Sequence, residues 1–268
     1  MNFAYVLSSE FKSQLYLSLR SLFDSGTSVD KVIILSVGES IKWNTGGLPI
    51  YFEEVEDIGE YYWMHNKLHI CNLNFDNFLF LDTDVIVRES LDHLMENGFD
   101  VTARRSTAHT LSSWDEKDWK RYLLENGAVT EMPVLNAGLL GFRNGIHRHI
   151  RGDWKTYMQE AWERRLFGNG YHADQWALPV ALGRHGATCS LLDAEDHAFA
   201  WEGDSPEGAT VYHTGASNFF GCVRKLKNPS FLEVDLPIPR PSVTWHYVQD
   251  RLKRKWESMW GATSKIAE

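Results

Sequence analysis

Two aspartates lie inside a strongly apolar stretch of the sequence, "FLFLDTDVIV", which spans residues 78–87. Asp82 and Asp84 are separated only by Thr83, and eight apolar or β-branched residues surround the pair. A run of this kind predicts a buried strand of a parallel sheet that carries both aspartates at its end. An ionised carboxylate that is buried without a partner costs several kcal/mol. The stretch therefore needs a partner for its negative charge.

A divalent cation is the partner that this pattern favours. Residues two apart on a strand point to the same face, and at a strand end both carboxylates can turn toward one point. Two adjacent carboxylates stay ionised together only when a cation neutralises them. Mg²⁺ and Mn²⁺ prefer oxygen ligands and leave coordination positions open for phosphate oxygens. The alternative is a turn or a helix N-cap, in which the aspartates accept hydrogen bonds from backbone amides.

The elements that must position Asp82 and Asp84 alternate between strands and helices. Upstream, strands are predicted at "FAYVLS", "KVIILSVG" and "GLPIYFEEVE", and helices at "EFKSQLYLSLRSLFDSG" and "MHNKLHICNL". This alternation indicates a parallel sheet with right-handed crossovers. Ligands of such sheets bind at the carboxyl ends of the strands, where the two aspartates fall.

Beyond residue 90 the predicted elements are less regular. They are a helix at "WDEKDWKRYLLENG", a strand at "PVLNAGLLGFRNG" with an asparagine and a glycine inside it, a long helix at "IHRHIRGDWKTYMQEAWERRLF", an apolar segment at "YHADQWALPVALGRHG" and a late strand at "ATVYHTGA". The segment "PSFLEVDLPIPRPSV" contains four of the eight prolines and marks a boundary. We expect one α/β domain over residues 1–228, followed by a proline-rich linker and a C-terminal helix over residues 229–268.

The composition narrows the class of protein. The chain has 268 residues, 43% of them hydrophobic and 24% charged, as in soluble globular proteins. A net charge of −9 argues against a nucleic-acid binder. Three widely spaced cysteines form no disulfide framework, and the first ten residues contain no signal-peptide core. No apolar run is long enough to span a membrane. We therefore expect a cytoplasmic protein.

Five segments occur in an order that matches a known family. They are "YVLSSEFKSQLYLSLRSL", "KLHICNLNFDNFLFLDTDVIVRESLDHL", "VLNAGLLGF", "HADQWAL" and "VYHTGA". In this order they resemble the opening strand and helix, the Asp-x-Asp block, the Asn-Ala/Ser-Gly strand, the Asp-Gln segment and the late histidine strand of the glycogenin-like, family-8 glycosyltransferases. The resemblance implies a GT-A fold, a Rossmann-like and mostly parallel sheet with flanking helices. It also implies transfer of a sugar, with retention, from a nucleotide sugar that is usually UDP-linked.

The resemblance implies a metal site and the partners of the reaction. Asp82, Asp84 and His213 would hold Mn²⁺ or Mg²⁺, and a histidine nitrogen among oxygen ligands suits Mn²⁺ better. The cation would act as a Lewis acid on the leaving diphosphate. The donor would be a UDP-sugar, and the acceptor a glycan, a glycolipid or a protein. Without the resemblance, His213 is equally well read as an ordinary histidine at a strand end.

Further residues are assigned to the donor by the same resemblance. Its binding residues would be Leu7, Ser8, Phe11, Lys67, Asp82, Thr83, Gly138 and Gly215. Phe11 would stack on the base, and Lys67 would meet the diphosphate or the ribose. Near the transferred sugar the expected residues are Asp174, Gln175 and Asn136, of which the first two would stabilise developing positive charge. The alternatives are a core residue for Phe11, a solvated helix lysine for Lys67 and a helix N-cap for Asp174.

The sequence departs from the family at one motif. The family commonly has His-x-x-Gly-x-x-Lys after its last strand, whereas here Gly215 follows His213 by two residues and the next lysine is Lys225. Arg224 or Lys225 would have to replace the phosphate-binding lysine through a longer loop.

Two other functions compete with the glycosyltransferase hypothesis. Haloacid-dehalogenase-type phosphohydrolases also carry Asp-x-Asp at a strand end, but normally at the first strand of the domain, whereas here about 80 residues precede it. A non-catalytic module that binds nucleotide sugars would bind the donor without turnover.

The C-terminal helix combines basic and aromatic residues in "RLKRKWESMW", residues 251–260. Arg251, Lys253, Arg254 and Lys255 beside Trp256 and Trp260 suit peripheral contact with an anionic membrane surface. The alternative is a helix that packs its tryptophans on the domain.

Overall fold

The structure is a computed structural model that describes residues 1–59, 63–96, 98–106, 114–166, 170–227 and 229–260, with side chains up to residue 253 except that of residue 63. Ten strands are present in this part of the chain: β1 Asn2–Leu7, β2 Lys31–Val37, β3 Ile50–Val55, β4 Phe78–Leu81, β5 Val85–Val87, β6 Val101–Arg104, β7 Leu139–Phe142, β8 Cys189–Leu192, β9 His197–Phe199 and β10 Val211–His213.

Six α-helices and several 3₁₀ segments connect the strands. The helices are α1 Lys12–Asp24, α2 Glu116–Glu125, α3 Ile146–Glu163, α4 Ala173–Arg184, α5 Phe219–Lys225 and α6 Val243–Trp260. The 3₁₀ segments are Ser9–Phe11, Trp63–Asn72, Asp92–Met95, Ala200–Glu202, Ala216–Asn218 and Ser230–Leu232. The predicted helix at "MHNKLHICNL" thus has 3₁₀ geometry.

A seven-stranded sheet forms the centre of the molecule, with strand order β3-β2-β1-β4-β7-β6-β8. Four of its pairings are parallel, and only β7 runs antiparallel to its neighbours β4 and β6. This agrees with the expected mostly parallel α/β sheet with flanking helices. A smaller sheet, β5-β10-β9, lies beside it, and β10 runs antiparallel to β5.

The prediction of one continuous strand over residues 78–87 is wrong. Strand β4 ends at Leu81 in the large sheet, and β5 begins at Val85 in the small sheet. Asp82, Thr83 and Asp84 form the turn between them, which is closed by a hydrogen bond from the Val85 amide to the Asp82 carbonyl (3.3 Å). Both strands are buried, and an apolar run of this length has the same appearance whether it enters one sheet or two.

The asparagine and the glycine predicted inside a strand precede it instead. Strand β7 comprises only Leu139–Phe142, so Asn136 and Gly138 lie in the segment that leads into it. This segment runs beside the end of β4, because the Asp82 amide donates to the Gly138 carbonyl (2.8 Å). Both residues are therefore brought to the Asp-Thr-Asp turn.

Two apolar layers cover the faces of the central sheet. Alternate residues of β4 point to opposite faces, so that Phe78 and Phe80 pack with α3 and α4 while Leu79 and Leu81 pack on the side of α1. Helix α1 forms as predicted, with its buried leucines at helical spacing. By the same alternation Asp82 follows Phe80 toward the face that carries the Trp63–Asn72 segment.

The segment after residue 228 packs against the preceding domain. Arg20, on α1, is fully buried and donates hydrogen bonds to the carbonyls of Phe231, Val234 and Ile238. On α6, the His246 ring stacks on Phe220 with ring centroids 4.8 Å apart. Within the described residues, no helix combines the length and the apolar character that crossing a membrane requires.

Candidate functional site

A cavity of about 840 Å³ opens at the carboxyl ends of β1 and β4. Its wall is formed by several parts of the chain, among them the end of β1, the 3₁₀ segments Trp63–Asn72 and Ala200–Glu202, the Asp-Thr-Asp turn, the segment before β7, the start of α4, and the end of β10 with the loop after it. The residues from these places include Val6, Ser8, Phe11, Lys67, Asp82, Thr83, Asp84, Asn136, Gly138, Tyr171, Gln175, Trp201, His213 and Gly215. This is the position at which open α/β sheets bind ligands.

Strand register brings His213 to Asp84. In the small sheet His213 pairs with Val85, which directly follows Asp84. The next residue, Thr214, donates its amide (3.1 Å) and its hydroxyl (2.9 Å) to the Asp84 carbonyl. As a result, His213 Nε2 lies 3.2 Å from Asp84 Oδ1.

Asp82, Asp84 and His213 fit a divalent cation. One ligand atom from each residue lies within 4.8 Å of the others. Two carboxylate oxygens and one imidazole nitrogen form a set that suits Mn²⁺. The fit depends on Gly138, because a Cβ at this position would lie 2.0 Å from His213 Cε1. The backbone in front of β7 thus leaves room for the imidazole.

The ammonium group of Lys67 is hydrogen-bonded entirely within the protein. Its ammonium donates to Asp82 Oδ2 (2.9 Å), to Asp174 Oδ2 (3.0 Å) and to the Ala137 carbonyl (3.0 Å). An ammonium has three protons, so all of them are used within the protein. Burial lowers the pKa of Lys67, but the carboxylates of Asp174 and Asp82 outweigh it and raise this pKa above its ordinary value. Lys67 therefore remains a cation that orients both carboxylates.

The two carboxylates of the Asp-Thr-Asp turn have opposite pKa shifts. Burial, together with the nearby charge of Asp84, raises the pKa of Asp82, and Lys67 offsets only part of this effect. Burial would also raise the pKa of Asp84, but the adjacent His213 lowers it below its ordinary value. A cation bound between the two would offset the repulsion from Asp84, which adds to the effect of burial on the pKa of Asp82.

Asp174 and Gln175 begin helix α4 but have different partners. Asp174 is fully buried in the first turn, where it binds Lys67, and the N-cap position belongs to His172. The alternative of Asp174 as a helix N-cap is therefore excluded. Gln175 Oε1 accepts a hydrogen bond from Ser106, and its amide nitrogen lies 3.3 Å from His172 Nδ1. Of the two, only Gln175 lines the cavity.

The remaining predicted residues, with one exception, lie at the cavity. Ser8, Phe11, Thr83, Asn136, Gly138 and Gly215 all contribute to its wall. Asn136 accepts a hydrogen bond from the Gly138 amide (2.9 Å), which shapes the segment before β7. The exception is Leu7, whose side chain is fully buried in the apolar layer on the α1 side. Its neighbours Val6 and Ser8 reach the cavity instead.

Several residues at the site were not found from the sequence. Tyr171 precedes the Asp-Gln segment directly and could have been included with it. Trp201 and His197 had no motif around them, and only the position of the small sheet brings them to His213. Arg224 and Lys225, the two residues predicted to replace the phosphate-binding lysine, lie at the end of α5, and neither is among the residues that line the cavity. The Arg224 guanidinium lies over the Tyr247 ring of α6, 4.3 Å from its centroid.

Solved structures of glycosyltransferases share this fold. No model of a protein family matches the sequence, and no curated protein sequence matches it. The galactosyltransferase LgtC, solved with donor and acceptor sugar analogues, is 18% identical, with a TM-score of 0.57 over 81% of this chain and 88% of LgtC. An active-site mutant of LgtC gives a TM-score of 0.60 at 18% identity, over 87% of this chain and 94% of that one.

A third glycosyltransferase structure, that of GlyE, also resembles this chain. The glycosyltransferase GlyE of Streptococcus pneumoniae TIGR4 is 17% identical, with a TM-score of 0.57 over 82% of this chain and 56% of GlyE. These identities are low, so the similarity establishes the fold. The chain has the GT-A fold, in agreement with the expectation from its sequence.

Proposed function

We propose that this protein is a metal-dependent, retaining glycosyltransferase of the glycogenin-like family, which transfers a sugar from a UDP-sugar to an acceptor hydroxyl. One observation carries the proposal. The Asp82–Asp84 pair and His213 come from distant parts of the chain and converge on one wall of a large cavity in a GT-A fold. Neither the fold nor the Asp-x-Asp motif alone would suffice, because function belongs to the site.

The three converging side chains would hold the cation, whose positive charge would supply Lewis-acid stabilisation of the leaving diphosphate. Asp82 is held in place by Lys67, so its free oxygen has a defined direction. Gly215 has a positive φ (74°), and with Ala216 and Ser217 it contributes the part of the cavity wall that follows His213 in the chain. Backbone amides of this loop would take the place of the phosphate-binding lysine that the family commonly has.

The sugar would lie on the side of Asn136 and Gln175. An amide oxygen aimed at the anomeric carbon can stabilise the positive charge that develops there. Gln175 is fixed by Ser106 and His172, which limits its rotation. LgtC has been solved with an active-site glutamine replaced by glutamate, and Gln175 is the glutamine of the described cavity wall here. Phe11 and Ser8, after β1, would contact the nucleoside.

A carbohydrate acceptor is supported by exposed aromatic rings at the cavity. Tyr171 is 62% exposed and Trp201 is 48% exposed, and both line the cavity. The Trp201 indole stacks on Phe199 with centroids 4.6 Å apart, so it is held as a flat surface. Aromatic faces pack well against the apolar face of a sugar ring. The acceptor would thus be a glycan or the head group of a glycolipid.

Release of UDP tests the proposed function directly. The full chain is incubated with UDP-glucose, UDP-galactose, UDP-N-acetylglucosamine and UDP-xylose, each with Mn²⁺, with Mg²⁺ or with EDTA. We expect UDP release from at least one donor that requires metal, together with a rise in melting temperature when that donor and metal are both present. Donor-dependent stabilisation without UDP release would indicate a non-catalytic binding module. Hydrolysis of simple phosphate esters instead would indicate a phosphohydrolase.

We further propose that the enzyme is cytoplasmic and contacts membranes peripherally through α6. Trp245, Val248 and Leu252 are exposed at helical spacing on this helix, and the basic Arg251 and Lys253 lie beside them. Such a surface suits anionic lipids. The side chains of Arg254, Lys255, Trp256 and Trp260 lie outside the described residues. Liposomes with phosphatidylserine should sediment the full chain more strongly than a chain that ends at residue 242. Equal sedimentation of both would exclude this contact.

A further inference from the structure

A second histidine, His197, lies directly behind His213. The two residues are on neighbouring parallel strands, β9 and β10. Their rings are nearly parallel (5°), with centroids 5.4 Å apart, and His197 Nε2 lies 3.3 Å from His213 Nδ1. His197 is fully buried and does not line the cavity. It therefore reaches the proposed metal site only through His213.

The contact between the two rings determines where the proton of His213 can be. A neutral imidazole carries one N–H and one lone pair, on different nitrogens. His213 directs Nε2 toward Asp84, so binding of a cation there requires the lone pair at Nε2 and the proton at Nδ1. Among the described residues, His197 Nε2 is the hydrogen-bond partner found for His213 Nδ1. When the proton of His197 is on Nδ1, its Nε2 has a lone pair that can accept a hydrogen bond from the His213 Nδ1–H.

The position of His197 is fixed by its neighbours. Arg104 donates to the His197 carbonyl and lies over the Phe199 ring, 4.0 Å from its centroid. The Phe199 ring in turn meets the His197 ring edge-on at 4.7 Å. His197 Nδ1 is buried and has no hydrogen-bond partner among the described residues. A buried polar atom without a hydrogen bond costs free energy. This cost falls on Nδ1 of His197, while Nε2 of the same ring contacts His213.

We propose that His197 is a positioning residue that holds His213 in the tautomer with its proton on Nδ1, which leaves the Nε2 lone pair for the cation. This inference rests on the proposed metal site and assigns a further residue to it. When no cation is bound, the pair has the opposite arrangement available: His197 Nε2–H donates to His213 Nδ1, and His213 Nε2–H donates to Asp84. Both arrangements contain the same number of protons. Acceptors behind metal-bound histidines typically contribute about 10–100-fold in metal affinity.

Two substitutions distinguish the role of His197 as a hydrogen-bond acceptor from its role in filling space. His197→Gln retains an acceptor, because its side-chain oxygen can reach about the position of Nε2. His197→Phe retains the ring volume but has no acceptor. Titration calorimetry with Mn²⁺ alone measures affinity for the full chain and both variants. We expect about 10–100-fold weaker binding for the phenylalanine variant, and binding within about threefold of wild type for the glutamine variant. A purely structural role would weaken binding in parallel with the melting temperature measured without metal.

Nitrogen NMR of the wild-type chain, labelled with ¹⁵N-histidine, gives a measurement that requires no variant to fold. With diamagnetic Mg²⁺ or Zn²⁺ bound, the His213 signals should show a protonated Nδ1 and an unprotonated Nε2. A proton on Nε2 in the metal-loaded protein would overturn the inference. So would wild-type Mn²⁺ affinity in the phenylalanine variant, and in that case the proposed metal site would stand. If the wild-type chain binds no Mn²⁺ at all, both proposals fail together.

Discussion

The two carboxylates of the Asp-Thr-Asp turn, Asp82 on one side and Asp84 on the other, have different kinds of partner for their negative charge. On one side Asp82 is paired with Lys67, which also holds the fully buried Asp174. On the other side Asp84 faces the imidazole of His213. An ammonium is a permanent counter-ion supplied by the chain, whereas an imidazole can either donate a proton or present a lone pair to a metal. The Lys67–Asp82 ion pair can therefore persist when a metal binds, whereas the His213–Asp84 contact can be replaced by contacts of both residues with the metal.

This difference explains why two adjacent carboxylates are tolerated before any cation binds. Lys67 neutralises part of the charge at Asp82, while burial, together with the nearby charge of Asp84, keeps the pKa of Asp82 above its ordinary value. A dication would then bind at the side where Asp84 and His213 meet, without displacing Lys67. Substitutions at either side of the turn test this difference separately.

The largest effect is expected from Lys67→Met. Loss of the cation leaves Asp174 buried without a counter-ion, and breaking a buried pair in this way costs about 3–5 kcal/mol. Urea denaturation of the metal-free protein measures the free energy of unfolding. The double variant Lys67→Met/Asp174→Asn should recover part of the loss, because the orphaned charge is gone. Lys253→Met, at an exposed lysine on α6, serves as the control and should change stability by less than about 0.5 kcal/mol. A similar, small change for both single variants would contradict the assigned role of Lys67.

Asp84→Ala breaks the other side. It removes a proposed metal ligand without leaving a buried cation unpaired, so we expect the fold to persist. Metal-dependent UDP release should fall by about 10²–10³-fold, the range typical of a lost electrostatic contact to developing charge. Asp235→Ala, at an exposed aspartate in the linker, is the matched control and should release UDP at the wild-type rate. Undiminished turnover in the Asp84 variant would count decisively against the metal site.

Gly138→Ala should displace His213 while leaving all the proposed ligands present. The new Cβ would overlap the imidazole, and relief of such overlap costs about 1–3 kcal/mol, or about 5–150-fold in Mn²⁺ affinity. Gly152→Ala is the control, because a Cβ there meets no atom within 4 Å. Calorimetric titration with Mn²⁺ compares the two variants. Equal affinities would show that His213 does not need the space above Gly138.

The smallest effect concerns pH and stability without metal. The pKa of Asp82 is raised in the folded protein, so its ionisation destabilises the fold as pH rises through that pKa. The pKa of Asp84 is lowered, so its contribution is present above the unfolded value and is lost as pH falls through the folded one. At pH 7, Asp82→Asn should therefore raise the free energy of unfolding and Asp84→Asn should lower it, each by about 1 kcal/mol or less.

Opposite signs in urea denaturation of these two variants would sharpen the comparison between the two sides. Changes of the same sign would show that the two carboxylates share one environment. In the Asp82 variant, Lys67 keeps its hydrogen bonds to Asp174 and to the Ala137 carbonyl. The change in the free energy of unfolding therefore does not mainly report an unpaired Lys67.

Much of the fold was predictable because it depends on local patterns. The leucine spacing of α1, the glycine after it and the apolar strands on either side can be read from neighbouring residues alone. The requirement of Asp82 and Asp84 for a counter-charge follows from the cost of burying a carboxylate. The order of five weak motifs then predicted the GT-A fold, which the solved structures of LgtC and GlyE share.

Other features required the positions of segments that are far apart in the sequence. The break of residues 78–87 into two sheets depends on β7 pairing with β4 and β10 pairing with β5. The bond from Lys67 to Asp174 joins residues 107 positions apart, and no local pattern predicts it. His197 has no motif of its own, and only the parallel pairing of β9 with β10 brings it to His213.

By itself, then, the sequence determined which segments are apolar enough to be strands and helices and where acidic residues interrupt them, since burial preferences act on each residue and its near neighbours. Only the tertiary structure decided which partner each acid has. Hydrogen bonds and ion pairs form between atoms a few ångströms apart, and strand pairing between distant segments sets those distances.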